Sequence, residues 1–491
     1  ASFREQYLAG RSASDIQDDI RLAFSSLKYI RDATAAFNLI LASDEISRRA
    51  SAFEDDRETI KALIALGQVD EAEALFDETG GDGYDVVDAW QDQGNIERAR
   101  TLFERIEPLH DLGSDSSMSS PMTRQRELQK WAARAVDFRS SSEIMAGINR
   151  IVEMVRRERD QFNDPDDLGW SIRWEAALAT VTSDPSADID VVIEAYELEP
   201  SVRATMRLVA ARRALEDGVQ ERATSAIAEI DDVATDAAEL AEVPRGLRRG
   251  VSLIAARSGA VGSAQSLAAG LAVPAIAEMD DSTDYGLSKD IPRAVIEHAE
   301  LVTLLNEALP TSSPSSKPQL VPLQQFAEHA GILAARSRRD PQGMQAGEVA
   351  QECAAFVRYV CRTAPGGGGE YFVIGQLDRA APGVLSSLLK TAARISRDEF
   401  ARAIEAVDRI LGDHPMVRGR TFSLEMMIAK AVANLGQNAD DADRRLDGLL
   451  ERRDQGTPGQ FLESTARLAE AFARVGRPAR SQTLLVEQRA H

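Results

Sequence analysis

Four sets of residues in this sequence are of the types that chemistry uses. The first is the glycine run Gly366–Gly369. A glycine loop cradles phosphate on its backbone amides when Lys and then Ser or Thr follow at a helix start. Here Glu370 follows, and neither GxxxxGK[ST] nor a strand-borne GxGxxG occurs, so the run reads as a flexible connector. The second set is the histidines His110, His298, His329, His414 and His491. None lies at metal-ligand spacing from another His or a Cys, and HExxH is absent, so no metal site is expected. The third is acidic: Asp164, Asp166 and Asp167; Asp280 and Asp281; Asp440 and Asp441. The segment DETGGDGYDVVD from Asp77 resembles a calcium loop, but Gly83 falls at position seven instead of six and Asp88 replaces the bidentate Glu. It reads as a turn between hairpins. Carboxylate pairs for glycoside hydrolysis need a defined separation, and 79 acidic residues offer many pairs without fixing one. No GxSxG nucleophile is present. The fourth set is Cys353 and Cys361, eight apart in a stretch with helical pattern. Eight residues rise about 12 Å along a helix, too far for a disulfide between them. Two reduced, buried thiols are expected, and with them a reducing compartment. These patterns assign no catalytic residue, no cofactor and no metal.

The elements that would position any site are clearer. In the stretch from Glu58 to Pro108, Leu66, Gly67, Val69, Ala72, Leu75 and Phe76 recur 27 residues later as Gln93, Gly94, Ile96, Ala99, Leu102 and Phe103. Each copy reads as a helix, a tight turn at the Gly and a second helix. A Gly ending a helix takes positive φ without a Cβ penalty. The Ala and Phe that follow are four apart, so they share one face of the second helix. The small residue lets the helices approach and the Phe fills the space between them. One hairpin cannot bury both its faces, so neighbours must stack.

This spacing resembles the tetratricopeptide repeat and, more loosely, the wider family of helix-hairpin solenoids. Leu63 and Trp90 fall at its large first-helix position. Gly67 and Gly94, Ala72 and Ala99, and Phe76 and Phe103 fall at its turn Gly, small residue and aromatic. The departures are a period of 27 against about 34, Val87 where the first-helix Gly would stand, and a closing Pro out of register. The resemblance is carried by about 50 residues and implies a fold rather than a reaction.

The expected fold class is therefore all-α: irregular antiparallel helical-hairpin repeats stacked into a curved α-solenoid. The spacing returns at Gly218, Ala223 and Ile227, and at Gly259, Ala264 and Ala268, while Gly436 and Gly476 each close a helix. Residues 1–57 have helical pattern around Ile20, Leu22, Ala23, Leu27 and Ile30. Loops are expected at His110–Thr123, Asn163–Trp170 and Pro310–Gln319, and the Gly-rich segment Ala364–Ile374 leads from Ala364–Gly369 into the only short run that looks like a strand, at Tyr371–Ile374. Soft boundaries near 115 and 315 give segments 1–115, 116–315 and 316–491, read as one continuous array.

Composition limits the partners. The chain is 44% hydrophobic, enough to bury a core, and its net charge is −22. That charge opposes a nucleic-acid or anionic-membrane surface and favours a basic partner, although a solvated acidic exterior explains most of it. Ser258–Ala277 carries no charge over 20 residues, but its glycines, serines and Pro274 make it a buried hairpin rather than a membrane helix. The first 30 residues are charged throughout, unlike a signal peptide. The start at Ala1 suggests processing or a piece of a larger protein. A cytoplasmic location is expected.

What the resemblance implies about function is recognition. In tetratricopeptide arrays partner contacts come from exposed first-helix positions, which here are Arg57 and Lys61 in one unit and Tyr84, Asp88 and Gln91 in the next. The bland alternative for these five is a solvated face. The expected function is a non-catalytic interaction scaffold or regulatory α-solenoid that binds a protein or peptide segment, basic in character, in its concave groove. The alternative is a ligand-sensing module that binds a small molecule between hairpins and signals by conformational change. A helical enzyme ranks third, having no motif.

Overall fold

The repeated glycine builds the same turn each time. Gly67 and Gly94 take φ of 75° and 77°. The Gly67 N–H donates to the Ile64 carbonyl (2.9 Å) and the Gln68 N–H to Leu63 (2.9 Å); Gly94 donates to Gln91 (2.8 Å) and Asn95 to Trp90 (2.9 Å). This is the Schellman pair, which satisfies carbonyls that the helix end leaves open. The turns after Ala256 and Ala473 make the same two bonds. In each case the next helix starts two residues after the glycine.

The computed structural model describes residues 59–79, 83–106, 121–158, 164–271, 291–306, 321–362, 371–413, 418–436, 438–451 and 458–490. Among these the chain is all-α, and no strand occurs. The helices are α1 (59–65), α2 (Val69–Thr79), α3 (Gly83–Asp92), α4 (Ile96–Arg105), α5 (Pro121–Ala135), α6 (Ser141–Glu158), α7 (Pro165–Ser183) and α8 (Ile189–Ala195). A 3₁₀ turn at Pro200–Val202 leads to α9 (Arg203–Asp217), α10 (Gln220–Thr235), α11 (Ala237–Glu242), α12 (Arg245–Arg257) and α13 (Val261–Ala268). Then come α14 (Ile291–Leu304), α15 (Val321–Arg339), α16 (Glu348–Arg362), α17 (Tyr371–Ile395), α18 (Arg397–Asp413), α19 (Arg418–Asn434), α20 (Ala439–Leu450), α21 (Pro458–Arg474) and α22 (Pro478–Ala490). The expected features at residues 1–57, Pro310–Gln319 and Ala364–Gly369, and the boundaries near 115 and 315, lie outside the described residues.

Two compact units form. One holds the described residues up to Thr180, with Glu194–Leu198 and those from Leu446 on; the other holds Val181–Ile193 and Glu199–Arg445. In the first, Ala72, Ala99 and Phe103 are fully buried, as the repeat requires. Phe103 packs between Tyr84 and Phe138, with ring centroids 6.5 and 5.0 Å away. Phe76, expected to be equally buried, is half-buried. Its ring lies on Gly83 at the start of α3, where an added Cβ would come within 2.8 Å of it. In the second unit, residues of α9, α10, α12, α13, α14 and α15 share a core that includes Leu208, Ile230, Val251, Leu267 and Leu301. Of the buried hairpin expected over Ser258–Ala277, the described part is the turn after α12 and the helix α13, where Ala264 and Leu267 are fully buried but Val261, Gln265 and Ser266 are exposed; residues 272–277 lie outside the described residues. At the α14–α15 crossing, a Cβ on Gly331 would collide with the Ile296 carbonyl, so only glycine allows that approach. Helix α17 packs against α14, α15, α16, α18 and α19.

Three expectations are corrected. The break at Asn163–Trp170 is the start of α7, and Pro121–Thr123 opens α5 instead of ending a loop. In both, as in α21 and α22, the proline is the first helical residue, where its missing N–H and fixed φ cost nothing. Asp164 then accepts the Asp166 N–H (2.9 Å) as a cap. Tyr371–Ile374 is the first turn of α17, which runs on to Ile395, so the helix outweighs the local strand preference of these four residues.

Phe103→Ala should destabilise the chain by about 3–5 kcal/mol, and Phe76→Ala by clearly less. Urea unfolding of the two variants measures this, and equal losses would contradict the burial described for the pair.

Candidate functional site

The residues expected to face a partner are largely engaged inside the first unit. Arg57 lies outside the described residues, and Lys61 on α1 is half-buried. Tyr84 is only 4% exposed. It was expected on an open face outside the core, but α5 covers that side, and the Arg134 guanidinium sits 5.2 Å from its ring centre. Arg134 also holds Asp88 through two hydrogen bonds (2.8 and 2.7 Å), and Gln91 donates to Asp137 (3.1 Å). The other side of the pair is bridged too. Glu73 accepts from Trp90 Nε1 (2.9 Å), Arg98 (3.0 Å) and Arg105 (3.0 Å), and Arg98 stacks 4.3 Å from the Trp90 ring centre. Removing Tyr84 would therefore open the core rather than only a surface.

The second unit contains a different arrangement. A cleft of about 590 Å³ lies among α12, α14, α15 and α17. One of its lining residues is Glu300, 2% exposed. Arg257 donates to it from Nε (2.9 Å) and Nη2 (2.6 Å), and Arg338 from Nε (2.8 Å). Glu300 thus fixes both arginines by their Nε edges. Among the described residues, Nη1 of Arg257 and both terminal nitrogens of Arg338 have no protein partner. Arg394 of α17 donates to the Ser337 hydroxyl (3.0 Å) and has no carboxylate partner among the described residues. Burial first, then the Arg338 charge, hold its pKa below the ordinary arginine value, against the pull of Glu300. Lys390 lies one turn earlier on the same face, exposed and with no hydrogen-bond or ion-pair partner among the described residues. Arg293 is matched by Glu297 (2.8 Å). Five cations therefore line the cleft with two carboxylates, an excess of three positive charges in a chain of net charge −22.

A second cleft, about 570 Å³, lies along α9 and α10. Its charges balance: Arg203 is paired with Asp190 (2.7 Å), and Arg207 with Glu229 (2.6 Å), Asp232 (3.2 Å) and Glu239 (3.5 Å). No group of three or more metal-ligating side chains forms among the described residues. Cys353 and Cys361 are buried and free, and burial raises both thiol pKa values, which keeps them neutral.

None of the cleft residues stood out in the sequence. Arg257 and Arg338 lie 43 and 38 residues from Glu300, so no local motif links them. The available signal was Glu300 and His298 set among the apolar residues of α14. His298 is 3% exposed, and neither ring nitrogen has a hydrogen-bond partner among the described residues. Burial, then the Arg249 charge, lower its pKa from 6.5 to about 4. Between these values the unfolded chain binds more protons than the folded one. Stability is therefore full above about pH 6.5 and falls as pH drops towards 4, by up to about 3 kcal/mol from this group. In urea unfolding across that window, His298→Leu should show a shallower fall than the parent chain; an identical fall would mean another group is responsible.

No protein-family model, no curated protein and no solved structure matches this chain.

Proposed function

We propose that this chain is a regulatory helical-hairpin solenoid, tetratricopeptide-like in design, that binds a small anionic ligand between its hairpins and performs no chemistry of its own. The observation that carries this reading is the α12–α14–α15–α17 cleft, with a buried carboxylate over-matched by arginines and an unpartnered lysine. Its walls come from four helices, so an occupant would add a further link among elements already joined by the Glu300 ion pairs and the Arg394–Ser337 hydrogen bond. The recurring glycine turn, with a fully buried Ala72, Ala99 or Ala264 after it, supports stacked hairpins as the architecture. Among the described residues no helix is long and apolar enough to cross a membrane. The two free buried thiols fit a reducing compartment such as the cytoplasm.

The second reading is an interaction scaffold for a basic protein segment. Its support is the net charge of −22, which would attract such a segment at long range. Its groove would need faces other than the one holding Tyr84, Asp88 and Gln91, since those residues already join α3 to α5 and the turn after it.

The two readings separate in a titration. Small di- and trianions, and separately Lys/Arg-rich peptides, are added at two salt concentrations while heat unfolding is followed. The ligand reading expects a rise in Tm and slower amide exchange in α14, α15 and α17 with anions, and neither with the peptides. Saturable peptide binding without any anion response would favour the scaffold instead.

A further inference from the structure

We infer that the cleft takes a compact phosphorylated anion, a small phosphate or diphosphate ester, held by Arg257, Arg338, Lys390 and Arg394. This rests on the ligand-binding reading above and names the chemistry of its ligand. Three features of the lining carry it. Charge comes first: the excess of three positive charges matches a phosphate or diphosphate group of charge near −2 to −3 better than a single carboxylate. Direction comes second. The unpartnered donors come from three helices: Nη1 of Arg257 on α12, the terminal nitrogens of Arg338 on α15, and Lys390 and Arg394 on α17. A tetrahedral group presents acceptor oxygens in several directions, whereas a planar carboxylate accepts in one plane. Shape comes third. About 590 Å³ is within the range of small-ligand sites, about 300–1,000 Å³. Yet among the described residues the apolar side chains lining it are only Ile296 and Ala334, with no aromatic ring to stack a base. The favoured ligand is therefore small and polar. Ser386 and Ser387 on α17 add hydroxyls on the same side as Lys390.

The test follows heat unfolding and calorimetric binding of the full chain with inorganic diphosphate, inorganic phosphate and citrate at matched ionic strength. The proteins are the parent chain, Lys390→Gln, Arg394→Gln, and Arg222→Gln in the charge-balanced cleft as a control. Lys390 is exposed and has no hydrogen-bond or ion-pair partner among the described residues, so its replacement should leave the fold intact. Diphosphate should raise the Tm of the parent and the control, and its affinity should fall about tenfold or more in the Lys390 and Arg394 variants. Citrate should bind more weakly. Citrate binding as tightly as diphosphate and depending on Lys390 would overturn the phosphate assignment while leaving the ligand-binding reading in place. Equal responses in all the proteins, or no response to any of these anions, would overturn both.

Discussion

A helical hairpin has more apolar surface than it can cover by itself. The geometry of this chain follows from how each hairpin finds cover in its neighbours. The glycine turn sets the angle at which the second helix leaves, and the residue four before it is buried each time: Leu63, Trp90, Ala214, Ala255 and Phe472. In four of these five cases its carbonyl also accepts the N–H of the residue after the glycine. Side-chain burial and the backbone cap therefore act on one residue. Five positions past the glycine, Ala72, Ala99, Ala264 and Ser481 are fully buried, which keeps the contact close. The large residue four positions further on varies, from Phe103 to Leu485, and is buried in both cases.

Charge is then used between helices more than on open faces. Asp88 with Arg134, Arg445 with Asp408 and Arg480 with Asp447 each pair two nitrogens of an arginine with two oxygens of a carboxylate from another helix. Partly exposed pairs like these add only about 0–1 kcal/mol each. Their planar two-point geometry contributes register instead, because a helix that slid by a turn would break both bonds together. Buried Glu399, besides its ion pair with Arg402 (3.5 Å), serves the same end through backbone groups. It accepts the Gly347 (2.8 Å) and Ala350 (3.3 Å) N–H groups and so caps α16 from the start of α18.

The parts of this structure that were legible in the sequence are those encoded within one hairpin. Gly, Ala and Phe at fixed offsets report a turn and a helix face because the hydrogen bonds involved span only a few residues. The parts that were not legible depend on neighbours. Tyr84, Asp88 and Gln91 have the pattern of an outward face, and nothing local says that α5 and the turn after it meet that face. Pro121 and Pro165 look like breaks because a proline stops a helix from its N-terminal side and starts one equally well. The cleft was invisible because its members are single charges on four helices, and solitary arginines are ordinary in a chain with 57 basic residues.

Glu300 differs from the paired carboxylates in one respect. Some interhelix arginines are over-matched by carboxylates, as Arg207 is by three and Arg445 by two. At Glu300 the ratio is inverted: two arginines hold it and a third stands nearby. Stability alone does not call for that surplus, since like charges brought together in a partly buried cleft repel one another. An anion bound there would relieve the repulsion and add cross-links among α12, α14, α15 and α17. At about one hundred times its Kd it would add about 2.7 kcal/mol to the folded state. That is comparable to burying a large core side chain, and enough to bias the packing of hairpins whose individual contacts are worth no more. The surplus charge is thus the feature through which the proposed ligand would act on the array.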